Sequence, residues 1–241
     1  MPIGVLVNAA AVIIGGLVGN VLGTGLSKKV VESMNAIFGV CAMTMGICSV
    51  VLLSNMPAVM LSVLLGTIIG FAVKLGDKIS AGGLWMGNCI SKVFKGRGDL
   101  DEDYKKQLVT AIVLFCVSGT GIYGSIVSGM TGDHSILLAK SILDIATALI
   151  FACSLGIITS FIAIPQCIIF LALFAFANAI YPFCTESMIN DFKACGGILL
   201  IATGFRMMKL KDFPVADMIP AMVIAMPISH LWTTFIIPLV S

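Results

Sequence analysis

Charge is what this chain has least of. Asp, Glu, Lys and Arg supply 11% of its 241 residues, against 59% that are hydrophobic. A water-soluble domain of that length cannot hide so much apolar surface in one core. A formal net charge of +2 gives no argument for a nucleic-acid partner. Histidine is nearly missing: His134 and His230 stand alone and far apart. No His-Glu-x-x-His and no Gly-rich loop ending in Gly-Lys-Ser/Thr occurs, so zinc hydrolysis and ATP-driven pumping lack their parts. Gly124-Ser125-Ile126 does not fit the Gly-x-Ser-Gly of an intramembrane serine protease. Gly129-Met130-Thr131-Gly132-Asp133 has the wrong spacing for an aspartyl one. An enzyme is not expected. The cysteines (Cys41, Cys48, Cys89, Cys116, Cys153, Cys167, Cys184 and Cys195) include no C-x-x-C pair. Most lie in apolar stretches, where free Cys behaves as a small apolar residue, so no metal, cofactor or disulfide framework is expected. Aromatic residues are 8%, which favours a small ion or amino-acid-sized solute over a flat ring or sugar.

What is present is long apolar sequence. A helix needs about 20 mostly apolar residues to cross a bilayer. Eight stretches qualify: 3–22, 36–53, 58–73, 108–129, 136–157, 161–181, 194–208 and 218–240. The opening Met1-Pro2-Ile3-Gly4 has no basic segment before its apolar run, so the first stretch reads as a mature helix rather than a cleaved signal. The fold class expected is an all-α integral membrane protein of about eight transmembrane helices, with the lipid bilayer as its first partner.

The basic residues then fall on one face. Lys28 and Lys29 follow span 1. Lys74, Lys78, Lys92, Lys95, Arg97, Lys105 and Lys106 follow span 3, and Arg206, Lys209 and Lys211 follow span 7. The opposite face has only Lys193, and Lys140 lies inside span 5. The positive-inside rule puts the odd-to-even connections in the cytoplasm of a bacterial inner membrane and both termini outside.

A shift of the sequence by 158 positions lays spans 1–3 on spans 6–8 without a gap. Asn20 lands on Asn178, Gly39 and Gly46 on Gly197 and Gly204, and the N-cap candidates Ser27 and Thr185 coincide. Five spans separate counterparts, an odd number, so the expected arrangement is an inverted-topology repeat, the architecture of many secondary transporters. The chain reads as one transmembrane domain: repeat unit one (1–75), a cytoplasmic amphipathic loop (76–105), a central helix pair (106–158) and repeat unit two (159–241). Trp85, Ile90, Val93 and Phe94 in the loop can enter the interface while Lys92 and Lys95 meet lipid phosphates.

Two features could carry chemistry. Ala139-Lys140-Ser141-Ile142-Leu143-Asp144 places Lys140 and Asp144 four apart on one helix face, with Asp144 about 12 Å into its helix, near the bilayer centre. A charge at that depth on an isolated helix costs about 2.5–3.5 kcal/mol. It is a cation, proton or charged-solute site, or else an ion pair tying span 5 to a neighbour. Ser118-Gly119-Thr120-Gly121 falls at the same depth in span 4. Clustered glycines weaken a helix, and broken helices at the midplane hold substrate and ions in transporters; alternatively the small residues only let helices approach. Gly15, Gly19 and Gly23, with Gly16 alongside, form a packing stripe, within the chain or in a homodimer. Asn8, Asn20, Thr44 and Asn178 line a path or bond a neighbouring helix, and Pro220, Pro227 and Pro238 read as kinks.

These residues carry a resemblance. Gly4-Val5-Leu6-Val7-Asn8-Ala9 leading to Gly15-Gly16-Leu17-Val18-Gly19, then Leu114-Phe115-Cys116-Val117, Gly124-Ser125, the segment from Leu138 to Asp144, and Gly196-Gly197-Ile198-Leu199-Leu200 resemble the YdfK/YqgA-type bacterial membrane proteins. The resemblance spans nearly the whole chain and implies a multi-span protein of the bacterial cytoplasmic membrane. As a family of unknown function it supplies no substrate. After Phe-Cys-Val, where Gly-Pro is the expected pattern, this chain has Ser118-Gly119. The function expected is a small-solute or ion carrier with its site at Asp144, Lys140 and Ser141, beside Ser118, Gly119, Thr120 and Gly121, with Asn8 and Asn178. The alternative is a non-transporting membrane scaffold or accessory subunit.

Overall fold

The computed structural model describes residues 1–22, 28–93, 102–116 and 118–240, and every regular element among them is helical. Gly23, the last member of the stripe on span 1, lies outside the described residues. The helices are α1 (Ile3–Leu22), α2 (Lys28–Val50), α3 (Met56–Ala72), α4 (Leu75–Val93), α5 (Glu102–Cys116), α6 (Gly119–Thr131), α7 (Ser135–Leu155), α8 (Ile158–Phe161), α9 (Ala163–Ile180), α10 (Glu186–Met207), α11 (Val215–Met218), α12 (Pro220–Leu231) and α13 (Ile237–Val240). Among the described residues seven helical stretches are long and apolar enough to cross a bilayer, and an eighth results if α3 and the first part of α4, bent by 59°, count as one span. The chain is an all-helical membrane protein.

Two connections of the sequence reading are helix instead. α2 begins at Lys28 rather than at residue 36, and α10 at Glu186 rather than at residue 194. Thr185 starts α10: its Oγ1 accepts the Met188 N–H, and Glu186 in the first turn and Arg206 in the last complement the helix dipole. Apolarity marks where a helix meets lipid, and polar residues in its first turns hide the true start. Lys193 is therefore a half-buried helix residue and not part of a connection. The amphipathic stretch after span 3 is likewise helical through Val93, as α4; Phe94 and Lys95 lie outside the described residues.

The chain divides into two compact units, Met1–Ser33 with Asp77–Ala179, and Met34–Gly76 with Ile180–Ser241. In the second unit, α2 crosses α10 at glycines. A Cβ added at Gly39 would stand 2.8 Å from the Gly204 carbonyl oxygen, and one at Gly46 would stand 2.6 Å from that of Gly197. Only hydrogen side chains permit backbones this close. α3 meets α11 and α12 in the same way, Gly66 against the Ala221 backbone and Gly70 against the Asp217 carbonyl.

The corner between α2 and α3 is held from α10. Asn55 precedes α3 but gives it no side-chain cap. Asp191 supplies one: its Oδ1 accepts the Ser54 N–H at 2.9 Å and the Asn55 N–H at 2.8 Å. Its Oδ2 accepts Asn55 Nδ2 at 2.9 Å and the Ser229 hydroxyl at 2.6 Å. The residue is fully buried. Leucine at Asp191 would strand the buried Asn55 N–H, at a cost of about 1–3 kcal/mol, and leave the Ser54 N–H to solvent. Asp191→Leu is expected to lower the melting temperature of the purified protein clearly more than Asp191→Asn, which keeps one acceptor for them. Equal shifts would contradict the capping role.

In the first unit, α1 lies along α7. Cβ atoms at Gly15 and Gly19 would collide with the carbonyl oxygens of Ile145 and Leu149, and one at Gly16 with Ser160. The described part of the glycine stripe is spent within the chain. Two apolar clusters form here. One joins Val12 and Ala148 to α5, α8 and the start of α9 through Ile112, Phe115, Ile158 and Ala163. The other joins Val5, Leu137 and Phe170.

A closed polar layer as candidate functional site

Between those clusters each helix carries polar residues. Asn8 sits between Val5 and Val12 on α1, Lys140 and Asp144 between Leu137 and Ala148 on α7, and Gln166 between Ala163 and Phe170 on α9. All four are buried, with Asp144 6% and Lys140 4% exposed. The layer lies near the middle of the 21-residue α7.

Its bonds run outward from the carboxylate. Lys140 Nζ donates to both Asp144 oxygens, at 2.7 and 2.6 Å. Asn8 Nδ2 donates to Asp144 Oδ2 at 2.8 Å. A carboxylate only accepts, so the Asn8 carbonyl must face away. It accepts Gln166 Nε2 at 2.9 Å, and that group also reaches Asp144 Oδ2 at 3.3 Å. The Gln166 amide is thereby fixed in one orientation, and its Oε1 is a buried acceptor with no partner. Among the described residues the other such side-chain atom is Thr159 Oγ1, on α8.

Span 4 is interrupted at Ser118 without a proline, but the glycines read as an unwound segment, Gly119 and Gly121, are helical. α5 ends at Cys116 and α6 begins at Gly119. Ser118 adopts an extended conformation (φ −67°, ψ 136°) and its hydroxyl accepts the Gly121 N–H. Gly121 is required because the Phe170 ring lies on its Cα. α6 runs antiparallel to α7, and Gly124 faces Leu137. Counting 1.5 Å per residue from that contact brings Ser118 roughly level with Asp144. Lys140 Nζ lies 6.0 Å from the centroid of Phe115, just before the break, a cation–π distance.

The structure thus gathers Asp144, Lys140 and Asn8, while Ser118 interrupts span 4 and Gly119, Thr120 and Gly121 form the first turn of α6, with Gly121 against Phe170 of the neighbouring apolar cluster. Ser141 is buried beside them, but its hydroxyl bonds the Leu137 carbonyl. Asn178 is exposed near the end of α9, three turns from Gln166. Asn20 and Thr44 are exposed too, and Thr44 bonds its own helix at Val40. Sequence reasoning missed Gln166 and Asp191. The signal for Gln166 was the 158-residue shift, which lays Asn8 on it. The signal for Asp191 was Thr185, whose capping role puts that acid inside a helix.

A family model described as Protein of unknown function (DUF554) matches residues 3–230. The chain is 46% identical to the "Uncharacterized protein YqgA" of Escherichia coli (strain K12) over 235 residues, covering 98% of this chain and 99% of that one. It is 23% identical to the "Uncharacterized membrane protein YdfK" of Bacillus subtilis (strain 168) over 228 residues, 92% of this chain and 93% of that one. No solved structure matches.

Proposed function

The chain belongs to the family described as Protein of unknown function (DUF554), and on that footing we propose that it is a carrier of a small solute or ion. The observation that carries this reading is the polar layer closed between two apolar clusters at mid-depth of the bundle. Burying an ion pair costs several kcal/mol per ion before their attraction repays it, and well-packed apolar residues of the same volume often do as well. A bundle that needed only cohesion has no use for the layer. A carrier has, because a passenger site must be shut from both sides while it changes its exposure. In this reading Asp144 takes the coupling ion or proton, Lys140 modulates it, and the broken end of span 4 faces the solute. No enzymatic step is involved.

The inverted repeat belongs to the same proposal. Under the 158-residue shift, Asn8 and Gln166 are counterparts and bond each other. Gly39 and Gly46 have Gly197 and Gly204 as counterparts, yet Gly39 meets Gly204 and Gly46 meets Gly197. Self-contact in the first unit and crosswise contact in the second are each, taken alone, the pattern a two-fold relation leaves. Alternation would open one apolar cluster, then the other. We place the protein in a bacterial cytoplasmic membrane with both termini outside, from the distribution of Lys and Arg.

The second reading, a non-transporting scaffold or accessory subunit, is favoured by one fact: Lys140, Asn8 and Gln166 on three helices all bond the Asp144 carboxylate. Such a layer can fix helix register. Flux into proteoliposomes separates the two. A carrier moves at least one member of a panel of ions and small metabolites above protein-free vesicles, and folded Asp144→Asn moves it at least about tenfold more slowly, about 1.4 kcal/mol in the barrier. A scaffold moves none.

A further inference from the structure

We infer that the polar layer is a binding site for a monovalent cation, held by the Asp144 carboxylate and Gln166 Oε1, and that Lys140 is a built-in occupant which the cation displaces. The inference names the passenger or coupling species of the carrier proposed above and rests on that reading for its purpose, though not for the binding itself.

The layer already holds one positive charge in the way a ligand would be held. Lys140 Nζ sits within 2.7 Å of both oxygens of Asp144, on a flexible four-carbon stem that carries the ammonium as a point charge. Asn8 Nδ2 gives one hydrogen to Asp144, and Gln166 Nε2 donates to Asn8 Oδ1 and toward Asp144 Oδ2, so both amide nitrogens are engaged as donors and neither is a ligand for a cation. Gln166 Oε1 is different. It is fully buried, it accepts nothing, and the chain of bonds from the carboxylate prevents the amide from turning over. An unpaired buried acceptor costs free energy that a donor or a cation would recover. From the Gln166 Nε2 distance of 3.3 Å to Asp144 Oδ2 and the amide bond lengths, Oε1 lies within about 6 Å of that carboxylate oxygen. A carboxylate and an unpaired amide oxygen at that separation are both acceptors, the chemistry that suits a positive charge and no anion. The two charges of the pair cancel, so an entering cation must replace the charge of Lys140 by turning that side chain out. Divalent ions are disfavoured because the layer supplies a single carboxylate. Two kinds of ligand share the required chemistry, a bare alkali ion and a primary ammonium group, and the test separates them.

Lys140→Met leaves Asp144 facing Gln166 without its countercharge. The full-length variant is purified and melted in detergent with sodium, lithium, potassium or methylammonium chloride, against choline chloride at the same ionic strength. A saturable rise in melting temperature is expected with one or more of the first four and not with choline, since a ligand of the folded form stabilises it. Alkali salts alone acting identifies a bare ion; methylammonium alone acting identifies an ammonium group. In Lys140→Met/Gln166→Leu the response should need at least about tenfold more cation, the ordinary loss for one charge-assisted bond. If Lys140→Met does not purify, Lys140→Gln retains a neutral donor and takes its place. Stabilisation equal in choline, stabilisation by acid alone, or an undiminished response without Gln166 overturns the inference. Proton-coupled flux with no cation response would sink the cation site and leave the carrier standing. Cation binding without any flux would do the reverse.

Discussion

Lys140→Met is expected to cost about 3–5 kcal/mol of stability, the loss usual when one member of a buried ion pair is removed. The stranded partner would be Asp144, which is 6% exposed and whose other donors are the amides of Asn8 and Gln166. Two neutral amides do not balance a carboxylate in a layer bounded by Val5, Leu137 and Phe170 on one side and Val12 and Ala148 on the other. Asp144→Asn should lose a comparable amount, because it leaves the Lys140 ammonium without its countercharge and puts an amide NH2 in place of the Oδ1 that accepts from Lys140 Nζ. Lys140→Met/Asp144→Asn removes both charges and is expected to recover most of the loss. Unfolding of all three in detergent–lipid mixtures gives a coupling free energy. A coupling near zero would mean that the two charges do not depend on one another, and the layer would not be the closed unit described.

Gly19→Leu should be at least as damaging. α1 rests on α7 so closely that any side chain at Gly19 meets the Leu149 carbonyl, and at Gly15 that of Ile145. Overpacking in a core commonly costs about 1–3 kcal/mol where side chains can move aside; a backbone carbonyl inside a helix cannot. α1 must lift away, and Asn8, on the same helix, leaves Asp144 with it. The expected result is loss of monodisperse protein after extraction, together with loss of any cation response that remains. Val18→Leu, one residue away on an exposed position, should have little effect. Equal behaviour of the two variants would contradict the close approach.

Long apolar runs made the spans legible, and two intramembrane charges four residues apart made Lys140 and Asp144 legible. The break at Ser118 was visible in its glycines, and the helix restarts there because a serine hydroxyl can replace the lost backbone acceptor for Gly121. Gln166 was not visible. A single amide in an apolar run looks like any helix–helix hydrogen bond until its neighbours fix which of its atoms is left over. Asp191 was hidden by hydropathy: residues 186–193 are polar enough to read as a connection, yet tertiary packing buries the acid against Ser54, Asn55 and Ser229. The glycines on α1 were legible as a packing stripe, but their partner was not, because sequence periodicity shows a face and not what covers it.

The central claim is that water and a passenger reach the level of Asp144 at some point in the working cycle. Ser141 is one turn from Asp144, buried and small, so Ser141→Cys in a chain whose native cysteines are replaced reports on that level. Membrane-impermeant thiol reagents are applied from each side of sealed vesicles. The carrier account predicts modification from both sides, slowed by the cation that stabilises Lys140→Met. A cysteine that stays unmodified from either side, while labelling fully once the protein is unfolded, would contradict it.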